Sequence, residues 1–152
     1  MLRSRASTPR DDRGSAALEF ILVGVLLLVP LVYLVVALGA IQEQSLGAEA
    51  GARHIARVVS ASPDLATARA RAEELRRSVV EEYGMDADTV EVTIRCRPAG
   101  GACPRAGATL EVTVTTRVAL PLVPALPGLD RMARVPVEAS AVQKMSRLWG
   151  TE

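Results

Sequence analysis

The stretch FILVGVLLLVPLVYLVVALGAI, residues 20–41, decides the fold because it has no charged side chain over 22 residues. A helix rises about 1.5 Å per residue, so this stretch would be about 33 Å long, close to the ~30 Å hydrocarbon core of a bilayer. A cleaved secretory signal is shorter, with about 7–15 apolar residues before a small-residue cleavage site. The stretch therefore predicts a membrane-spanning helix, which we assign to residues 15–41.

The residues on either side of the span predict its orientation. Four arginines precede it, whereas the first charged residues after it are glutamates. The arginines are Arg3, Arg5, Arg10 and Arg13. Because positively charged segments stay in the cytoplasm, we expect residues 1–14 to be a basic cytoplasmic leader and residues 42–152 to form an extracytoplasmic domain. The chain is thus expected to be a single-pass protein of the cell membrane.

Two residues disturb an otherwise simple span. Pro30 has no amide hydrogen to donate to the carbonyl of Leu26, so a kink or a loosened turn is expected there. A neighbouring helix usually covers such a defect in lipid. Glu19 places a carboxylate at the start of the apolar run, which costs free energy unless the side chain lies at headgroup level or finds a cation.

The segment RGSAALEF, from Arg13 to Phe20, places a glycine five residues ahead of a glutamate and leads directly into the apolar run. It resembles the leader of type IV pilins, which a membrane-embedded prepilin peptidase cuts after the glycine on the cytoplasmic side. The resemblance implies cleavage between Gly14 and Ser15, which makes Glu19 the fifth residue of the mature chain. Many type IV pilins begin the mature chain with phenylalanine, whereas this chain has Ser15 there.

The longer phrase GSAALEFILV, followed by a proline within the helix, resembles the TadE-like proteins of tight-adherence pili. The resemblance is sharpest from Arg13 to about Gly51. It implies a minor pilin or pseudopilin whose N-terminal helix, including Glu19, Phe20 and Pro30, packs against other pilins. The implied partners are the membrane, the prepilin peptidase, the other pilins and the pilus assembly platform. A second hypothesis stays open, namely a membrane-anchored binding or accessory module that keeps its leader and never joins a fibre.

The region after the span is expected to be an α+β domain. The periodic run from Gln42 to Val59 predicts that the first helix continues with one apolar face. That face consists of Ala48, Ala52, Ile55 and Val59. Gly47 and Gly51 would let another backbone approach this helix closely, either from the domain's own sheet or from another subunit.

A second helix and a three-stranded antiparallel sheet are expected next. Ser62 predicts the cap of the helix and Gly84 its end. Three runs then alternate apolar and polar side chains, as half-buried strands do. Their apolar members are Val90, Val92, Ile94 and Cys96; Leu110, Val112 and Val114; and Val135, Val137, Ala139 and Ala141. The first two runs predict a hairpin around Pro98–Gly107, and Pro136 predicts an edge position for the third. The apolar loop Leu120–Gly128 would cover the core or lie along the membrane.

The two cysteines, Cys96 and Cys103, flank the predicted hairpin loop. Outside the cytoplasm such a pair is expected to form a disulfide. In the chain-entropy model, closing a loop of eight residues stabilises the fold by about 2.5 kcal/mol. The close cysteine spacing of thiol oxidoreductases is missing. Because His54 is the single histidine, we expect no metal site and no cofactor.

Composition argues against several classes of function. After residue 41 the chain has 14 basic and 14 acidic residues, so no positive field exists there to hold nucleic acid. Aromatic residues are only 3% of the chain, too few for a platform that stacks bases or sugars. The sequence also lacks a nucleophile-elbow motif, a phosphate-binding loop and a paired catalytic acid constellation. We therefore expect neither an enzyme nor a small-molecule substrate.

Overall fold

A computed structural model describes residues 15–121 and 133–150. Two helices precede a three-stranded antiparallel sheet, which confirms the predicted α+β class. The elements are α1 (Ser15–Ala61), α2 (Leu65–Glu82), β1 (Glu91–Arg97), β2 (Thr109–Ala119) and β3 (Arg134–Lys144). The chain divides into two compact units, Met1–Val36 and Ala37–Glu152.

Within the described residues, one helix is long and apolar enough to cross a membrane, and it lies near the N-terminus. This helix is α1, whose first half carries the apolar run quoted above. The finding agrees with anchoring by a single span. The direction in which the span crosses the membrane stays a prediction from the arginine-rich leader.

The second unit has its core on the predicted face of α1. The four side chains of that face are at most 1% exposed. They are Ala48, Ala52, Ile55 and Val59. Two of the four are alanines, so the helix axis can come close to the inner face of the sheet, where Leu110, Val112 and Val114 are at most 2% exposed. Small residues on the helix and branched residues on β2 therefore form one continuous core.

The space beside Gly47 and Gly51 is filled by the domain itself. A Cβ atom on Gly47 would overlap the end of Met85 and would lie 2.6 Å from Cγ of Tyr83. A Cβ atom on Gly51 would lie 3.3 Å from Cγ1 of Val79. Of the two possibilities that the sequence leaves open, the close approach at these glycines is therefore intramolecular, and the end of α2 contributes most of it.

The start of α2 differs from the prediction. Asp64, not Ser62, caps the helix, since its Oδ1 accepts a hydrogen bond from the backbone N–H of Thr67 at 2.8 Å. That hydrogen bond lowers the pKa of the Asp64 carboxyl. The side chain of Ser62 instead bonds to the end of the preceding helix, because its hydroxyl donates to the carbonyl of Val58 at 2.8 Å. That carbonyl belongs to the last turn of α1, where no helical amide remains to satisfy it.

The predicted end of α2 at Gly84 is confirmed. Gly84 adopts a left-handed backbone with φ of +57° directly after the C-cap residue Tyr83. The amide of Gly84 bonds the carbonyl of Glu81 at 3.4 Å, and the amide of Met85 bonds the carbonyl of Val80 at 2.9 Å. These are the two bonds of a Schellman motif. The reversal places Met85 in the core, where it is 7% exposed.

The sheet has the order β1-β2-β3 with antiparallel neighbours, so the predicted hairpin and the edge position of β3 are confirmed. Strand β2 runs on to Ala119, beyond the apolar alternation that ends near Val114. The continuation depends on Thr116, which is fully buried and bonds the hydroxyl of Thr89 at 3.3 Å. A satisfied threonine takes an inward position that the apolar pattern does not reveal.

The hairpin is closed by the expected disulfide between Cys96 and Cys103, whose Cα atoms are 5.7 Å apart. The bond ties the end of β1 to the loop that leads into β2. Most of the predicted loop Leu120–Gly128 lies outside the described residues.

We predict that Gly47→Ala lowers the free energy of unfolding by about 1–2 kcal/mol. Overpacking against Tyr83 and Met85 costs about 1–3 kcal/mol, which exceeds the gain of ~1 kcal/mol in helix propensity. Denaturant titration of the full chain in detergent, followed by the fluorescence of Trp149, measures the effect. The control is Gly39→Ala, because a Cβ at Gly39 meets nothing within 4 Å. Equal losses in both variants would contradict the close packing at Gly47.

Candidate membrane-anchoring and assembly helix

The first half of α1 carries large apolar side chains around its whole circumference. From Leu18 to Val36 these side chains are between 47% and 80% exposed, and Phe20 is the most exposed of them. Moving such a side chain out of water gains about 1.5–3 kcal/mol. A helix with this surface needs an apolar environment on every side, which lipid and other apolar helices both provide.

The processing residues stand at the beginning of this helix. Gly14 lies outside the described residues, and Ser15 is the first residue of α1. Ser15 and Glu19 are four residues apart, so the helix rises about 6 Å between them. A cation on the Ser15 nitrogen and the Glu19 carboxylate of one chain are thus separated by about one helical turn.

Glu19 is the only charged residue between Ser15 and Gln42. Its side chain is exposed, and no ion pair joins it to any other residue that the structure describes. A carboxylate next to hydrocarbon is costly when it has no cation. A positively charged partner would therefore gain more binding free energy at Glu19 than at any other position of this apolar stretch.

Pro30 shares a face of α1 with Glu19. The two residues are eleven positions apart, which is about three turns and an angular offset of only about 20°. The structure keeps Pro30 inside α1, and a kink at this position stays a prediction. Because proline has no N–H, the carbonyl of Leu26 loses its usual donor on this same side of the helix.

Tyr33 is a further polar residue that the sequence interpretation missed. It lies one turn beyond Pro30 and is half-buried, whereas the other side chains described between Ala16 and Val36 are exposed. Its offset from Glu19 is about 40° on an ideal helix, so both belong to one face. The sequence does carry one signal for this, because a spacing of fourteen residues places Glu19 and Tyr33 on the same face of a helix. One face of the helix thus gathers a carboxylate, a carbonyl without its usual donor and a phenol.

The domain presents one histidine in a mixed charged surface. His54 is exposed and lines a cleft of about 360 Å³ with Arg53, Arg57 and Tyr83. Arg53 is paired with Glu49 one turn earlier. Over residues 15–121 and 133–150, no group of three or more histidine, cysteine, aspartate or glutamate side chains could hold a metal ion. The arrangement offers His54 no nucleophile to activate.

No protein-family model matches the chain, and no curated protein or solved structure matches it either. The likeness to TadE-like proteins therefore depends on the residues from Arg13 to Gly51 and stays a hypothesis. The same holds for the roles that it implies for Gly14, Ser15, Glu19 and Phe20.

Proposed function

We propose that this protein is a minor pilin or pseudopilin that takes part in the assembly of a tight-adherence, type IV-like pilus. It is inserted in the membrane with its leader in the cytoplasm, a prepilin peptidase removes residues 1–14, and the remaining helix packs against other pilins. The domain from residue 42 onward then lies outside the cytoplasm and faces the fibre or its surroundings.

The observation that supports this function best is the isolated Glu19 carboxylate, which lies on an otherwise apolar and uncovered helix five residues after Gly14. An anchor alone needs no charge at that position, because a carboxylate weakens insertion. Cleavage after Gly14 would create a cation at the Ser15 nitrogen. The two groups then form a complementary pair at the start of the same helix.

The geometry of α1 favours pairing between chains over pairing within one chain. Because the rise from Ser15 to Glu19 is about 6 Å, a pair within one chain requires the Glu19 side chain to reach back over a full turn. A neighbouring helix displaced by about one turn along its axis would bring its Ser15 nitrogen level with Glu19. In a medium of low dielectric constant such a pair is strong, so it would fix the stagger between subunits.

The proposal predicts that Gly14 is the processing site. Gly14→Leu should leave a membrane precursor that is heavier than the wild-type chain by about 1.5 kDa, since 152 residues weigh 16.1 kDa. Intact-mass spectrometry measures this mass difference on protein that is extracted from the membranes of a strain with the peptidase. Gly24→Leu is the control, because Gly24 is a glycine of α1 with open space around it. A wild-type chain that still begins at Met1 would favour the anchored accessory module.

We further predict that Glu19→Gln reduces incorporation into the pilus without affecting membrane insertion or the stability of the domain. The amide keeps the size of the side chain but cannot pair with a cation. Co-purification with other pilins, measured beside thermal melting of the full chain in detergent, separates assembly from folding. Glu43→Gln is the control, since Glu43 lies on the same helix beyond the apolar run. Full assembly with Glu19→Gln would leave Glu19 as an idle side chain at headgroup level.

A further inference from the structure

The two edges of the sheet are not equivalent. Strand β3 carries Pro136, which has no N–H to offer at a free edge. Proline at this place protects an edge from pairing with another chain. Strand β1 (Glu91–Arg97) contains no proline, and among the described strands it pairs only with β2. The outward backbone groups of β1 therefore form the open edge of the sheet.

A cleft of about 290 Å³ with a mixed polar and apolar lining lies along the inner side of this open edge. Its walls come from both helices, from β1 and from the disulfide loop, and include Val59, Leu65, Ala68, Val92, Ile94 and Pro104. The inward side chains of β2 are almost completely buried, whereas Val92 and Ile94 of β1 are only half-buried and Leu65 is 37% exposed. The core is thus left open beside β1.

Positive charge flanks the edge on both faces of the sheet. Arg69 is the charged residue that lines the cleft, and Arg95 is exposed on the opposite face of β1. Neither arginine forms an ion pair with a residue in the described ranges, whereas Arg97 is paired with Glu111 at 2.9 Å. Glu111 is the cross-strand partner of Arg95, and the exposed Glu91 lies on the same face of β1. The charge at this edge that a carboxylate would complement is therefore that of Arg69.

We propose that the β1 edge binds an extended, acidic segment of a partner polypeptide, which adds to the sheet as a fourth strand. Backbone hydrogen bonds to β1 would supply affinity, and a pocket for alternate side chains would supply specificity, as in other cases of strand addition. An aliphatic side chain enters the cleft between Leu65 and Ile94, and a carboxylate two residues along, on the same face of the added strand, meets Arg69. This site belongs to the domain alone and does not depend on processing at Gly14 or on a fibre.

The test uses the full chain in detergent and a fluorescent, end-capped peptide of seven residues, in which valine and glutamate take turns along one face of the strand and threonine occupies the other face. We expect saturable binding by fluorescence anisotropy, and we expect Arg69→Glu to weaken it by about fivefold, as for a surface ion pair that becomes repulsive. Arg71→Glu is the matched control, because Arg71 is an exposed arginine of α2 that lines a different cleft. A peptide with lysine in place of glutamate should bind more weakly.

Two further peptides make the backbone part of the proposal testable. Successive amides of a strand point to opposite sides, so N-methylation of one alternate set blocks one edge of the peptide only. One methylated peptide should lose binding and the other should keep it. Equal binding of both, equal loss from Arg69→Glu and Arg71→Glu, or no saturable binding up to millimolar peptide would each overturn the proposal.

Discussion

The rest of the structure depends on the packing of small residues of α1 against the central strand of the sheet. Ala48 and Ala52 have no exposed surface, and Leu110 and Val112 of β2, which belong to the same core, have none either. A larger side chain at either alanine would push the helix away from β2 and open the core. The same helix is predominantly apolar in its first half, where the large aliphatic side chains from Leu18 to Val36 are at least 47% exposed. One element therefore has to satisfy lipid in one half and a protein interior in the other.

The domain is small, and its remaining elements are secured by local devices. A domain of about 110 residues buries a smaller fraction of its surface than a larger domain does. Asp64 caps the start of α2, and a Schellman motif at Gly84 returns the chain toward the sheet. The disulfide closes the hairpin between β1 and β2. The inner side of β1 is still less covered than the inner side of β2. The proposed strand-binding edge lies at β1.

Much of this fold could be predicted because its signals are local. The core face of α1 follows from the spacing of Ala48, Ala52 and Ile55, and the hairpin follows from alternation around a loop rich in glycine and proline. The predicted cap of α2, Ser62, was wrong, because Ser62 and Asp64 are both good caps and the sequence pattern does not rank them. The choice depends on α1 ending at Ala61, which leaves Ser62 to satisfy the last turn of that helix.

The candidate sites divide in the same way. Glu19 and Pro30 stand out in the sequence because each breaks an apolar run. Tyr33 does not, since a single aromatic residue within a span does not break the apolar run, and only its reduced exposure and shared face connect it to Glu19. Arg69 belongs to no motif. Its cleft is lined by α1, α2, β1 and the disulfide loop, and it depends on how these elements pack against one another. The prediction that the domain lies outside the cytoplasm depends only on the arginines of the leader and on the compartment in which a disulfide persists.

The central claim is that one span carries a disulfide-bonded domain across the membrane. Its most direct test is thiol labelling of spheroplasts with a membrane-impermeant maleimide. We expect no labelling without reductant and labelling of both Cys96 and Cys103 after an impermeant reductant is added. Labelling that appears only after lysis, or without any reductant, would contradict it.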